Sequence, residues 1–266
     1  MKKPALCLCC LFALFIVACG GGNNMMMQQQ PPVPFTPLNG SFGFIAGSQV
    51  TNTNTFTVGG TLQTDAKGNV SGVLGIASIV PTNSCFSAGT TASFTGMISQ
   101  GRLTLTSAAI NGQVVNLAVT VSSDGNFFSN GSFTMTGGCL NGDHGMVSAT
   151  RLVTGAYTGT FALNGNMVNV TVNFNQPGIP GPDGSFAITA GATFTNNSAC
   201  GFTSAGTESG AQSGLAVGFT MASNAASIFN FVGNSVDTSA TMISGSFGVF
   251  SGPCDQMKGT VTLKKS

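Results

Sequence analysis

Apolar and polar residues alternate at every second position in repeated runs along this chain. The clearest are Leu103-x-Leu105, Val115-x-Leu117-x-Val119-x-Val121, Val168-x-Val170-x-Val172-x-Phe174 and Leu215-x-Val217-x-Phe219-x-Met221. Thr, Asn, Ala or Gly mostly fill the positions between. Side chains of a strand point alternately to its two faces, so a period of two marks antiparallel strands with one face buried and one solvated. Beyond residue 19 no stretch keeps a 3.6-residue apolar period for three turns, so an all-β chain is predicted. Turn chemistry separates the runs: Asp65-Ala66-Lys67-Gly68-Asn69, Asn111-Gly112, Asp124-Gly125-Asn126, Asn141-Gly142, Asn164-Gly165 and Asp183-Gly184. In the first half the pattern predicts about eight strands, near 41–46, 54–63, 69–79, 91–98, 102–109, 113–122, 126–136 and 145–152. Short connections between them favour an antiparallel meander. Eight such strands closed on themselves leave no exposed edge, which points to a small β-barrel, with an open two-sheet sandwich as the alternative.

The cysteines show that the pattern occurs twice. Cys85 and Cys139 are 54 positions apart, as are Cys200 and Cys254, and the second pair follows the first by 115. Gly40-Ser41-Phe42 recurs as Gly155-Ala156-Tyr157, and Gly131-Ser132-Phe133 as Gly245-Ser246-Phe247. A tandem duplication follows, with one β-domain over 38–152 and another over 153–266. Four cysteines allow three connectivities, and duplication favours pairing within each copy: Cys85–Cys139 and Cys200–Cys254. Each bridge would close a loop of about 55 residues and stabilise the fold by roughly 4 kcal/mol. Zinc binding by all four thiolates, or redox chemistry, is disfavoured. There is no CxxC spacing, and His144 is the only histidine.

Composition narrows function by exclusion. Glycine is abundant, at 38 residues, and Glu208 is the only glutamate. Without Lys2 and Lys3, six basic residues (Lys67, Arg102, Arg151, Lys258, Lys264 and Lys265) face seven acidic ones. No basic stripe exists to neutralise phosphates, so no nucleic-acid partner is expected. Strands of ten residues could in principle span an outer membrane. However, Trp is absent and Tyr157 is the only tyrosine, so aromatic girdles cannot form. Asp143-His144 is the only neighbouring acid–imidazole pair, and Ser132 or Ser148 could complete a triad with it. One histidine among dozens of serines carries little information. The carboxylates Asp65, Asp124, Asp143, Asp183, Glu208, Asp237 and Asp255 lie mostly in turns, where aspartate caps its own backbone. Asp-x-Asp calcium loops and His/Cys metal clusters are missing. The glycine clusters, Gly20-Gly21-Gly22 among them, lack a following Lys-Ser/Thr. No catalytic residue, metal or cofactor is assigned.

The remaining feature is the start of the chain. Lys2 and Lys3 precede an uncharged apolar run from Ala5 to Ala18, too short to cross a bilayer as a helix. The run ends Ile16-Val17-Ala18-Cys19, which resembles the lipobox of bacterial lipoproteins. That resemblance implies a leader of residues 1–18, a diacylglyceryl group on the Cys19 thiol, and an acylated (palmitate-type) amine after cleavage. Residues 19–37, with GGGNNMMMQQQPPVPFTP after the cysteine, have the composition of an uncharged spacer, and are read as a disordered tether. In the enteric sorting pattern a residue other than Asp after the lipidated cysteine favours the outer membrane, and Gly20 fits. The body resembles β-rich lipoproteins of acidobacterial type, themselves uncharacterised and duplicated. The likeness rests on Leu38-Asn39-Gly40-Ser41-Phe42-Gly43-Phe44, the Asp-x-x-Gly-Asn turns and Gly259-Thr260-Val261-Thr262-Leu263. The expectation is a non-enzymatic cell-envelope lipoprotein held to the membrane by its lipid, structural or binding an envelope protein or glycan. The alternatives are a lipocalin-like carrier of a small apolar ligand, with Gly72, Gly75, Met97, Met135 and Met221 facing inward, and a weak hydrolase using Asp143-His144.

Overall fold

The computed structural model describes residues 35–50, 55–79, 85–87, 89–125, 127–163, 166–195 and 200–266. Its first eight strands are β1 (Gly40–Ser48), β2 (Thr55–Thr64), β3 (Asn69–Ser78), β4 (Thr90–Ser99), β5 (Arg102–Ser107), β6 (Val114–Val121), β7 (Phe128–Thr136) and β8 (His144–Arg151). Each pairs antiparallel with the next, and β8 returns to β1, closing a barrel. The strands predicted from the alternation fall on these eight.

A second set follows: β9 (Gly155–Leu163), β10 (Asn166–Asn175), β11 (Phe186–Ala187), β12 (Thr189–Thr195), β13 (Ser204–Ser213), β14 (Ala216–Ser223), β15 (Ile228–Ser235), β16 (Met242–Phe250) and β17 (Lys258–Lys265). Here β10 pairs with β12, β13 with β14, and β17 with β9, so eight strands again close a ring. The two-residue β11 lies beside β13 just ahead of β12. The chain is therefore two antiparallel eight-stranded barrels, as expected, and closure excludes the open sandwich.

The period of two sorts the faces. In β5 and β15 nearly every second residue is buried. Fully buried Phe42, Phe44, Phe56, Phe94 and Phe133 fill the first interior. Each contributes about 1.5–3 kcal/mol by leaving water. The second interior is a chain of ring contacts: Tyr157 meets Phe174, Phe174 meets Phe219, and Phe219 stacks on Phe231. Outward positions carry mainly Thr, Asn and Ser. Leu215 breaks the predicted alternation: it sits in the β13–β14 turn and is exposed. Turn residues behave as the sequence implies. Asn111 and Gly112, between β5 and β6, both take positive φ (50° and 78°), which a type I′ hairpin requires.

Both barrels close with the same pairing. Phe42 of β1 lies opposite Arg151 of β8, and Tyr157 of β9 opposite Lys265 of β17. In each case the cation stands over the ring, at 4.8 Å and 5.8 Å from its centre. Leu38, fully buried, caps the end at which the chain enters the first barrel. Its N–H and C=O both engage the Thr64 hydroxyl.

The barrels are joined into one compact unit by a segment that has no counterpart in the first. A short turn links β2 to β3, whereas residues 176–188 link β10 to β12 and reach the wall of the first barrel. That wall carries a row of glycines, Gly43 opposite Gly59 and Gly59 opposite Gly75. Phe186 and Ile179 lie across the row. A Cβ on Gly43 would come within 2.7 Å of the Phe186 ring, and one on Gly75 within 2.6 Å of Ile179. Phe186 is 1% exposed. Two further contacts seal the seam. Buried Gln212 accepts from Val153 N–H at 3.0 Å and donates to Arg151 C=O at 3.3 Å. Thr238, from the β15–β16 turn, accepts from Phe128 N–H at its hydroxyl and from Arg151 N–H at its carbonyl.

Candidate functional site

The residues singled out in the sequence fall into three separate places. Cys85 and Cys139 are bridged, with Cα atoms 6.2 Å apart, as are Cys200 and Cys254 at 5.5 Å. Each bridge ties loops at the end of its own barrel. Fully buried Gln113 supports the first: its amide oxygen accepts from Leu140 N–H at 3.0 Å. The second bridge is sealed in the core, with Cys200 and Cys254 at 1% and 3% exposure, while Cys139 is exposed. Cys19 lies outside the described residues, as do Asn126 and the Asn164-Gly165 turn.

Asp143 and His144 are adjacent in sequence but do not face each other as an acid–base pair. Ser48 donates its hydroxyl to Asp143 at 2.6 Å, and His144 Nδ1 lies 3.2 Å from Gly142 C=O. In the β-ladder Ser132 stands opposite Met146, and Ser148 opposite Ile45, whereas His144 stands opposite Thr134. The turn aspartates act on their own loops. Asp65 accepts from the Asn69 amide, Asn69 N–H and Lys67 N–H, the first of which does most to hold its pKa below the usual carboxylate value. The Ser185 hydroxyl does the same for Asp183, and Ser251 N–H for Asp255. Among the described residues no three His, Cys, Asp or Glu side chains are placed to hold a metal ion.

Of the residues expected to line a ligand cavity, Met135 and Met221 face inward and are buried, and Gly72 shares their side of the sheet. Met97 points outward at 48% exposure, and Gly75 belongs to the glycine row beneath Ile179. Parity explains both corrections. On β4, Phe94 and Ile98 take the interior positions, and on β3, Leu74 and Ile76 do, so the odd-numbered neighbours must face out. The second interior keeps a cavity of about 40 Å³ between Phe161, Phe194, Phe229 and Met221, with an entirely apolar lining.

The concave feature most like a binding site is one that sequence reasoning missed: a groove of about 480 Å³ where the barrels meet. Its floor forms where β7 and β8 part, because their ladder spans only Gly131–Thr134 against His144–Val147. A register shift between β6 and β7 coincides with Asn130, whose φ of 47° places it in the left-handed region. Such a bulge bends a strand and re-aims its side chains. Ile45, Phe128 and Met146 from the first barrel and Leu215 from the second supply apolar surface, and Asn130 and Ser148 supply polar groups. Met146 is 55% exposed. Among the described residues no carboxylate, imidazole, amine or thiol lines it. Side chains of this kind can hold a partner by apolar contact and neutral hydrogen bonds. The nearest charges lie at its border. Burial lowers the pKa of Arg151, whose guanidinium donates to Asn39 C=O and Gly125 C=O.

No family model matches the chain, and no curated protein matches it. A solved structure of a protein with unknown function, from the DUF3598 family of Nostoc punctiforme, is similar at 11% identity. It covers 87% of this chain and 96% of that chain with a TM-score of 0.24. A likeness that loose carries no argument about fold or function.

Proposed function

We propose that this chain is a cell-envelope lipoprotein, anchored through Cys19 and non-enzymatic, whose duplicated β-body works through its outer surface. The single observation that carries this reading is where the molecule keeps its free surface. Both interiors are occupied by side chains, and a groove that gathers residues of both barrels lies outside them at their seam, its lining uncharged among the described residues. Apolar residues inside and Thr, Asn and Ser outside are the reverse of a membrane-spanning barrel, which supports sheets standing beside a bilayer rather than in it. The two disulfides suit an oxidising compartment such as the envelope. The partner that fits the groove is neutral, with mixed apolar and amide or hydroxyl character: a segment of an envelope protein, or a glycan.

Metabolic labelling with an alkyne-bearing palmitate analogue, followed by fractionation, tests the anchor. The wild-type chain should take up label and pellet with membranes, and Cys19→Ala should do neither. Equal behaviour of both chains would refute the proposal. The carrier reading has the apolar cavity of the second barrel in its favour. At about 40 Å³ it exceeds the roughly 10–15 Å³ that one water needs, yet falls far below the roughly 150 Å³ of a dry cavity that admits benzene. A ligand of ordinary size would require Phe161, Phe194 or Phe229 to swing aside. Native mass spectrometry that retained an apolar ligand on the wild type but not on Met221→Phe would favour that reading instead.

A further inference from the structure

Charge is unevenly placed on this molecule. Six cations and seven carboxylates follow Cys19 in the sequence. Five of those cations gather around the end at which the chain enters the first barrel. Lys67 sits in the β2–β3 turn, whose Gly68 lies beside Phe35, and Arg102 follows the Gln100-Gly101 turn at the same rim. Arg151 donates to Asn39 and Gly125 there. Lys265, with Lys264 next to it, lies close enough to Arg151 for the two charges to interact. Three carboxylates share this end. Asp65 is engaged by its own turn, Asp124 accepts from the Ser122 hydroxyl, and Asp237 accepts from Ser239 and Thr241. The rest of the molecule holds Lys258 against Asp143, Asp183, Glu208 and Asp255. Side-chain charge is thus net positive at the entry end and net negative elsewhere.

The same end exposes a large apolar side chain. Phe127, at 50% exposure, projects from the β6–β7 turn, next to buried Phe128. Thr238 binds Phe128, and Val236, two positions before it, is 52% exposed. Thr36 donates its hydroxyl to Ser123 C=O in that turn, so the segment arriving from Cys19 meets the body within this patch. Cys19 is 16 positions before Phe35. Sixteen residues reach at most about 58 Å when fully extended, enough to let either end of a barrel face the bilayer. Tether length does not choose the orientation, so the surface must.

We propose that the chain-entry end of the first barrel is a lipid-facing surface, with Lys67 and Arg102 against anionic headgroups and Phe127 inserted among them. The inference rests on the lipid attachment proposed above. A phenylalanine and a few cations bind a membrane weakly by themselves. Attachment through a short linker raises the local concentration to the millimolar range, where weak contacts suffice to select one orientation. Attraction to anionic lipid acts within about 10 Å at 0.1 M salt, so the cations work only when this end is near the bilayer.

The chain has no tryptophan, so one introduced residue reports alone. Phe127→Trp is compared with Phe250→Trp, a similarly exposed control on the second barrel at 51%. Both are placed on vesicles of equal parts phosphatidylethanolamine and phosphatidylglycerol. One arm uses protein extracted with its native lipid. The other uses the chain from Gly20 with an amino-terminal histidine tag, held by nickel-chelating lipid. In both arms Trp at position 127 should shift its emission to the blue and be quenched by brominated acyl chains, and Trp at 250 should do neither. Lys67→Glu with Arg102→Glu should abolish the shift, as should high salt. Equal, unquenched emission at both positions in the nickel-lipid arm overturns the surface. Failure confined to the first arm, together with an unmodified Cys19 by mass, overturns the lipid anchor instead and leaves the surface standing.

Discussion

Gly43 and Phe186 show how much single residues decide here. The Gly-Ser-Phe triplet occurs at 40–42, 131–133, 184–186 and 245–247. Three of its phenylalanines fill barrel interiors, while Phe186 lies on the wall of the other barrel. Sequence alone cannot separate them, because Asp183-Gly184 is read as one more turn and the glycines facing Phe186 are far away in the chain. Gly43→Ala should cost about 1–3 kcal/mol, since its new methyl meets side chains of Phe186 and Leu152. In a Phe186→Ala background that cost should shrink, and denaturant melts of the four proteins would show the coupling. Additive effects would mean that the ring does not rest on the glycine row. Tyr157 is a second reporter. Burial, and then Asp237, push its phenol well above its ordinary value of 10.0. A raised folded pKa means the stability it confers is fully present below pH 10 and is lost as pH rises beyond that. Because it is the only tyrosine, ultraviolet titration reads it directly. Phenolate should appear only as the fold opens, and ionisation at the ordinary value with the fold intact would contradict its burial.

At the scale of elements, most of the architecture was legible. Half-buried strands carry their own signature, so the first barrel's strands could be placed within a few residues, and the cysteine spacing pointed to both bridges. What stayed hidden depends on facing rather than on periodicity. Residue type suits Met97 and Gly75 to an interior, but the pleat assigns them outward. The groove where β7 parts from β8 depends on a bulge at Asn130, and no residue type announces it. The bridges themselves differ in access. Cys139 is exposed, whereas Cys200 and Cys254 are buried, so limited reductant should open Cys85–Cys139 first. Alkylation and peptide mapping over time would show the order, and simultaneous loss of both would argue against a sealed second bridge. Removing the buried pair by Cys200→Ser with Cys254→Ser should cost about 4 kcal/mol.

For the whole molecule, the account joins a proposed lipid anchor at Cys19 to a pair of barrels in one compact unit, whose workable surface lies outside. A leader is a linear signal that a sequence can carry by itself, whereas a neutral groove carries no motif. Intact mass of the protein extracted from cell membranes tests this most directly. The account predicts a chain beginning at Cys19, carrying a diacylglyceryl group and an amide-linked acyl chain, with Cys85–Cys139 and Cys200–Cys254 both closed. A mature chain with an unmodified amino terminus, or bridges joining one barrel to the other, would contradict it.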